Sequence, residues 1–255
     1  MGCVYYLTSV CYEQSIQLCW DSPVYYRYDV WATPDNLIAY HSLVHYNFTV
    51  ADSIRKKLAE IAENYSLWVD WVGLPRTLKH EVLWGIPLPF NNTFYNSTWI
   101  TLYEQNEYTI KIDIANHTLI SDWEAYADLC IYNALDLYLK GNITQAKERL
   151  QKVIDMWDGY GLKDQEYFNG GKYETYKLCL LYYANGKINN KPLPFEKQLI
   201  ERIWKQQAPN GGIHTHYNRK GDYCYRKSTT MYENPRVFIH HRNNFCGNTY
   251  TIMSS

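Results

Sequence analysis

Acidic residues stand where helices are expected to begin, and they suggest the first chemistry to consider. Asp122 and Glu124 lie in Asp122-Trp-Glu124-Ala-Tyr126, and Glu174 in Lys172-Tyr-Glu174-Thr-Tyr176. Asp35 opens a third string of similar layout, Asp35-Asn-Leu-Ile-Ala-Tyr40. Two carboxylates facing one cleft are the equipment of glycoside hydrolysis, one as general acid and the other as base or nucleophile. Asp122 or Glu124 is the candidate for one role and Glu174 for the other. Acids in a first helical turn also complement the helix dipole, and Ser121-x-x-Glu124 has the form of a capping box. Capping and catalysis both remain open. Trp123, Tyr126, Tyr173 and Tyr176 flank these acids and suit either sugar stacking or core filling. His41 and His45 are four apart and share a helix face. With His214 or His216 they have the residue types of a metal site, but no Glu follows His41 as a zincin requires. A packed histidine pair is the competing reading, and no metal or cofactor is expected.

Positioning these residues takes a helix-pair repeat. Glu124 and Glu174 are 50 residues apart, as are Tyr126 and Tyr176. In each string an apolar helix follows the tyrosine, then a polar turn, then an amphipathic helix. Leu129-Cys-Ile-Tyr-Asn-Ala-Leu135 and Leu178-Cys-Leu-Leu-Tyr-Tyr-Ala184 are apolar on nearly every side, which predicts buried helices over 121–140 and 171–185. Ala146, Leu150, Val153, Ile154 and Trp157 form a stripe, as do Phe195, Leu199, Ile200, Ile203 and Trp204. These predict half-wet helices over 143–157 and 195–207. Ile54, Leu58, Ile61, Ala62 and Tyr65 repeat the pattern earlier. Gly141-Asn142 and Asn185-Gly186 are expected to stop the buried helices, and Pro192 and Pro194 to precede the last one. Between the first and second pairs, Trp99–Tyr103 and Tyr108–Ile114 predict a β-hairpin turning at Gln105-Asn106-Glu107.

The most specific string is Trp204-Lys-Gln-Gln207-Ala-Pro-Asn-Gly211-Gly212-Ile213-His214-Thr-His216. It resembles the Gln-x-x-x-Gly-Gly turn of the α/α toroid proteins, which include terpenoid cyclases, protein prenyltransferases and six-hairpin glycosidases. Trp157-Asp-Gly-Tyr-Gly161 occupies the matching place one repeat earlier. The resemblance implies a mainly α fold, an incomplete α/α toroid of helix hairpins over 35–222 with a β-hairpin inserted near 98–114. It also implies that Gln207 braces neighbouring hairpins. Residues 1–34 and 223–255 have no clear period and are expected to be irregular. The cyclases' acidic motif and the prenyltransferases' zinc constellation are absent. The resemblance therefore points towards carbohydrate chemistry, a glycoside hydrolase or polysaccharide lyase, with Gln207, His214 and His216 beside the aromatic residues in its binding cleft.

Composition narrows the setting. The net charge is −1, which gives no electrostatic case for nucleic acid or an anionic membrane. No apolar run reaches the roughly 18 residues of a membrane helix. Six asparagines, Asn47, Asn64, Asn91, Asn96, Asn116 and Asn142, fit the N-glycosylation pattern, where chance placement yields about two. An extracellular or cell-surface glycoprotein is expected. The seven cysteines are odd in number; Cys130 and Cys179, inside apolar helices, are expected to act as small hydrophobes. The competing functional reading is a non-catalytic surface protein that binds glycan or a protein partner. The tyrosine count of 26, with nine tryptophans, suits it equally well. An open array also leaves an apolar flank, which favours a homo-oligomer.

Overall fold

A computed structural model describes residues 29–70, 72–77, 79–89, 93–105, 108–207 and 213–222. Of the irregular segments expected at 1–34 and 223–255, residues 1–28 and 223–255 lie outside these residues, as do the sequon at Asn91 and the turns expected at 106–107 and Gly211-Gly212, whereas 29–34 hold a strand and the start of a helix. The described chain is mainly helical with an inserted β-hairpin, and no described helix is long and apolar enough to cross a membrane. Residues 35–222, read as one domain from the sequence, fall into two compact units. Among the described residues the first unit comprises 29–84 and 95–119, and the second 85–94 and 120–222.

In the first unit, strand β1 (Asp29–Ala32) leads into helix α1 (Thr33–Leu43), followed by α2 (Phe48–Asn64). Ala51, Ile54, Leu58 and Ile61 recur at helical spacing and are the buried face of α2. Each fully buried Ile or Leu here contributes about 1.5–3 kcal/mol. Asn47 caps α2, its Oδ1 accepting from the Val50 N–H at 3.2 Å. A 3-10 turn follows at His80–Trp84. Strands β2 (Tyr95–Gln105) and β3 (Tyr108–Leu119) pair antiparallel, and β1 pairs with β3 in parallel. The hairpin extends beyond the expected 99–114 because its base is held by polar residues. Asn116 Oδ1 accepts from Thr118 N–H at 3.0 Å, and its amide reaches Thr98 Oγ1 at 3.4 Å. No apolar alternation marks that stretch.

The second unit holds two helix pairs. Helices α3 (Ala127–Leu139) and α4 (Ile143–Ile154) form the first. After a short helix α5 (Gln165–Gly170) come α6 (Thr175–Ile188) and α7 (Glu196–Lys205). Helix α3 packs against α4 and α6, and α6 against α4 and α7. Ala127 to Leu137 is buried without a break, whereas α4 buries only Ala146, Leu150 and Val153 and α7 only Leu199 and Ile203. This is the predicted alternation of buried and half-wet helices.

Several local expectations need correction. Helix α3 begins at Ala127 rather than 121, because Trp123–Ala125 is a 3-10 turn and Tyr126 is extended. The Ser121-x-x-Glu124 capping box is not made, since the Glu124 side chain is drawn to α4 instead. Helix α6 begins at Thr175 rather than 171, because Tyr173 and Glu174 are extended, and runs past Asn185-Gly186 to Ile188. Buried Asn185 donates to the Lys191 carbonyl at 2.6 Å and accepts from Asn189 at 2.9 Å, so it anchors the following loop from inside the helix. The left-handed residue that ends this stretch is Asn190, φ 49°.

Each half-wet helix ends in the same device. A single antiparallel bridge follows it: Val69 with Pro75, Trp157 with Leu162, and Gln207 with Ile213. In the first two, an aspartate organises the turn. Asp70 Oδ1 accepts from the Val72 and Leu74 N–H groups, and Asp158 Oδ1 from those of Tyr160 and Gly161. After the last of these helices, the neighbouring Gln206 ties the following segment back to the helix end. Gln206 is fully buried; its carbonyl accepts from His214 N–H at 2.9 Å and its amide donates to the Gly221 carbonyl at 3.3 Å.

Candidate functional site

Lys177 is the centre of the second unit's chemistry. It sits in the first turn of α6, among apolar neighbours, with a side chain 3% exposed. A buried ammonium needs opposite charge. Three carboxylates supply it. Asp164 Oδ2 lies 2.5 Å from Nζ, Glu174 pairs with it directly, and Asp128 Oδ1 stands at 3.9 Å. Desolvation pulls the lysine's pKa down, but Asp128, Glu174 and Asp164 outweigh it and the pKa is raised.

Each carboxylate has further partners. Asp164 caps α5 through Oδ1, which accepts from Tyr167 N–H at 3.2 Å. Its Oδ2 accepts from Ala127 N–H at 3.0 Å, which provides α3 with a cap from another element. Asp128 accepts from the Tyr176 hydroxyl at 3.0 Å. Burial and the neighbouring Asp128 and Glu174 charges push that hydroxyl's pKa well up. Glu174 Oε1 lies 3.4 Å from His216 Nε2, and His216 Nδ1 is 2.7 Å from Thr215 Oγ1. Burial raises the Glu174 pKa, yet the His216 hydrogen bond and the Lys177 charge prevail and hold it down to about 2.

Strands β4 (Tyr173–Glu174) and β5 (His216–Tyr217) bring Glu174 and His216 opposite one another in register. Tyr126 and Glu174 precede α3 and α6 with the same backbone angles, φ −104° and ψ 122°. The structural counterpart of Glu174 is therefore Tyr126, not Glu124, and the 50-residue spacing matches side-chain types rather than positions at this end.

Glu124 takes part in a different network. Its Oε1 pairs with Arg149 at 2.7 Å and its Oε2 with Lys152 at 2.8 Å, both on α4. Lys152 and Arg149 hydrogen bonds lower its pKa. Asp122 is exposed. With Glu166 and Asp164 its charge adds to desolvation in raising the pKa of half-buried Tyr126. Trp123 is interior: Phe94 packs on it and the Arg149 guanidinium lies 4.7 Å over its ring. Tyr173 is interior too, stacked between Tyr167 and Tyr217 with its hydroxyl on Asp158 at 2.7 Å. Neither ring offers the open face that a sugar subsite requires. His214 is half-buried and accepts from Thr175 Oγ1 through its carbonyl, and desolvation lowers its pKa.

Sequence reasoning did not single out Asp128, Asp164 or Lys177 as a cluster. The available signal was a lone charge inside an otherwise apolar helix, which implies a buried partner. Among the described residues no group of three or more His, Cys, Asp or Glu is placed to hold a metal. His41 stacks on Trp84 at 4.3 Å, and His45 is exposed. Cys130 and Cys179 are free thiols, and burial pushes that of Cys130 up to about 11. Of the described sequons, Asn64, Asn96, Asn116 and Asn142 are exposed and Asn47 is half-buried. Compared with protein-family models, curated proteins and solved structures, the chain matches none of them.

Proposed function

We propose that this chain is an extracellular or cell-surface protein of α/α toroid type that binds glycan without cleaving it. The observation that carries this reading is the commitment of both expected glutamates to ion pairs. A two-carboxylate glycosidase needs one carboxyl that keeps its proton near neutrality. Glu174, held down to about 2, and Glu124, also lowered, are both ionised there. Their ion pairs with Lys177, Arg149 and Lys152 favour a structural role. The alternation of buried and half-wet helices supports the toroid, and the four exposed sequons support export. Glycan binding rests on the abundance of aromatic side chains, several of them exposed. The test is a glycan-array screen of the purified chain with product analysis on every bound polysaccharide. Binding with unchanged chain length is expected. Shortened products, or no binding across the array, would overturn the reading.

A second reading has one observation in its favour. The chain Glu174–His216–Thr215 is the order carboxylate, imidazole, hydroxyl. In it Glu174 orients a histidine, the side chain suited to proton transfer near neutral pH. This would be a polysaccharide lyase or hydrolase working through His216. Cleavage that disappears in Glu174→Gln and His216→Gln, while Glu124→Gln keeps it, would favour this reading.

A further inference from the structure

The first unit contains a small cleft of about 20 Å³, with room for little more than one water-sized group. Thr77, Lys79, His80, Tyr95, Ser97 and Asp113 line it. Two of these lining residues each have a buried oxygen with no hydrogen-bond partner among the described residues: Thr77 Oγ1 and Asp113 Oδ1. Thr77 is 6% exposed. An unsatisfied buried polar atom costs about 1–3 kcal/mol, so a pair of them in one cleft signals a missing partner. The two are complementary to a single chemical group. A carboxylate oxygen only accepts, while a threonine hydroxyl also donates. A hydroxyl group satisfies both, giving its proton to Asp113 and accepting from Thr77.

The sheet adds a second feature beside the cleft. Trp99 on β2 pairs directly with Asp113 on β3, so the two side chains share a face of the hairpin. Ser97, two residues before Trp99 in regular register, lies on that face as well. Trp99 is 41% exposed. A partly open indole next to a buried hydroxyl seat is the layout that recognises a sugar ring, apolar C–H face on the aromatic plane and one hydroxyl in the polar cleft. Thr98 and Asn116 lie on the opposite face, so a glycan carried at Asn116 leaves the Trp99 face clear.

We infer that Trp99, Asp113 and Thr77 form a glycan-binding site for an uncharged sugar residue, with one ring hydroxyl seated between Asp113 and Thr77. This rests on the glycan-binding reading above. The test uses the full chain and a panel of neutral hexasaccharides built from glucose, mannose, galactose or xylose, with binding followed by calorimetry. At least one member is expected to bind. Asp113→Asn and Thr77→Val should each weaken it about tenfold or more, because the site's buried polar groups lose their match, and Trp99→Ala by a similar factor through loss of the stacking face. Thr77→Ser, which keeps the hydroxyl, should bind like the native chain, and Phe168→Ala, an exposed ring in the second unit, should change nothing. Thermal melting of each variant separates loss of binding from loss of fold. If a hexasaccharide binds and the three variants bind it unchanged, the cleft seats a structural water only; this site is then refuted while the glycan-binding reading stands. If no hexasaccharide binds but charged glycans do, the assignment to an uncharged sugar falls. Binding of no glycan removes the reading and the site together.

Discussion

His41 in the first unit and Lys177 in the second are both withdrawn from water, and their surroundings treat ionisation in opposite ways. His41 lies against Trp84 in a near-parallel stack, with a buried Nε2 that meets no hydrogen-bond partner among the described residues. Desolvation takes its pKa down to about 4, only partly offset by the Asp70 charge. Lys177 is more deeply buried but has three carboxylates around it, and it keeps its charge. Burial alone does not decide the charge state; the partners delivered by other elements do. The first unit tolerates its buried base by keeping it neutral, the second by neutralising it.

The strongest way to break this contrast is Lys177→Met. Three carboxylates would be left facing one another, and breaking a buried ion pair from one side typically costs about 3–5 kcal/mol. Amide exchange in α3 and α6 should rise sharply while α1 and α2 stay protected. Adding Glu174→Gln, which removes one of the three charges without removing a helix cap, should recover part of the loss, and no recovery would show that Glu174 is not a main partner.

The turns sharpen the comparison. Leu74 and Gly161 each stand immediately before the bridging residue. Leu74 is fully buried, so Leu74→Ala should cost about 2–5 kcal/mol through a cavity. At Gly161 a Cβ would collide with the Tyr173 ring and the Tyr217 hydroxyl, so Gly161→Ala should cost about 1–3 kcal/mol through overpacking. Urea titration of both variants checks the pair. A neutral Gly161→Ala would mean that the two tyrosines yield.

Acid should separate the units next. The His41 pKa is lower folded than unfolded, so the unfolded state takes up the proton first. Stability in the first unit should therefore fall as pH drops from about 6.5 towards 4, by roughly 1–2 kcal/mol after allowing for partial solvent screening. Glu174 is also depressed, but a carboxylate's contribution is complete above its unfolded pKa, about 4.5, and disappears as pH falls towards 2. At pH 5, α1 amides should exchange faster than at pH 7, with α6 amides unaffected once intrinsic rates are corrected. His41→Phe should abolish the α1 difference.

The smallest effects separate capping from glycosylation. Asn142 caps α4 through its Oδ1 and is also a sequon. Asn142→Ala should cost about 1 kcal/mol by loss of the cap. Thr144→Ala removes the sequon and leaves the cap. Intact mass of protein from a glycosylating host, together with the melting temperature of each variant, distinguishes the two roles.

Much of the helical framework was legible because burial writes a period into the chain. The stripes at Ala146, Leu150 and Val153 and at Leu199 and Ile203 fall on the wet-sided helices, and the unbroken run from Leu129 to Leu135 on a buried one. Helix starts were read less well. Their caps come from distant residues: Asp164 serves Ala127 from 37 positions away, and no local motif reports it. The charged centre was hidden for the same reason. Asp128, Asp164 and Lys177 meet only through packing of α3, α5 and α6. Glu124 and Glu174 resemble each other in spacing, yet one is held by α4 and the other by Lys177 and β5. The Thr77 and Asp113 cleft leaves no trace in a linear pattern, since it joins a loop to a strand.

Asp164 also bears on the order in which the chain can mature. It caps the starts of both α3 and α5 and binds Lys177 of α6, so one carboxylate ties an earlier hairpin to residues that follow it. The helix pair is then not an independent module, and successive hairpins are shingled. On the ribosome α3 and α4 emerge before the group that caps α3 exists. A duplication or deletion that respected only the helix pairs would leave an uncapped helix and a stranded lysine, so an array of this kind can lengthen only by copying the loop along with the pair.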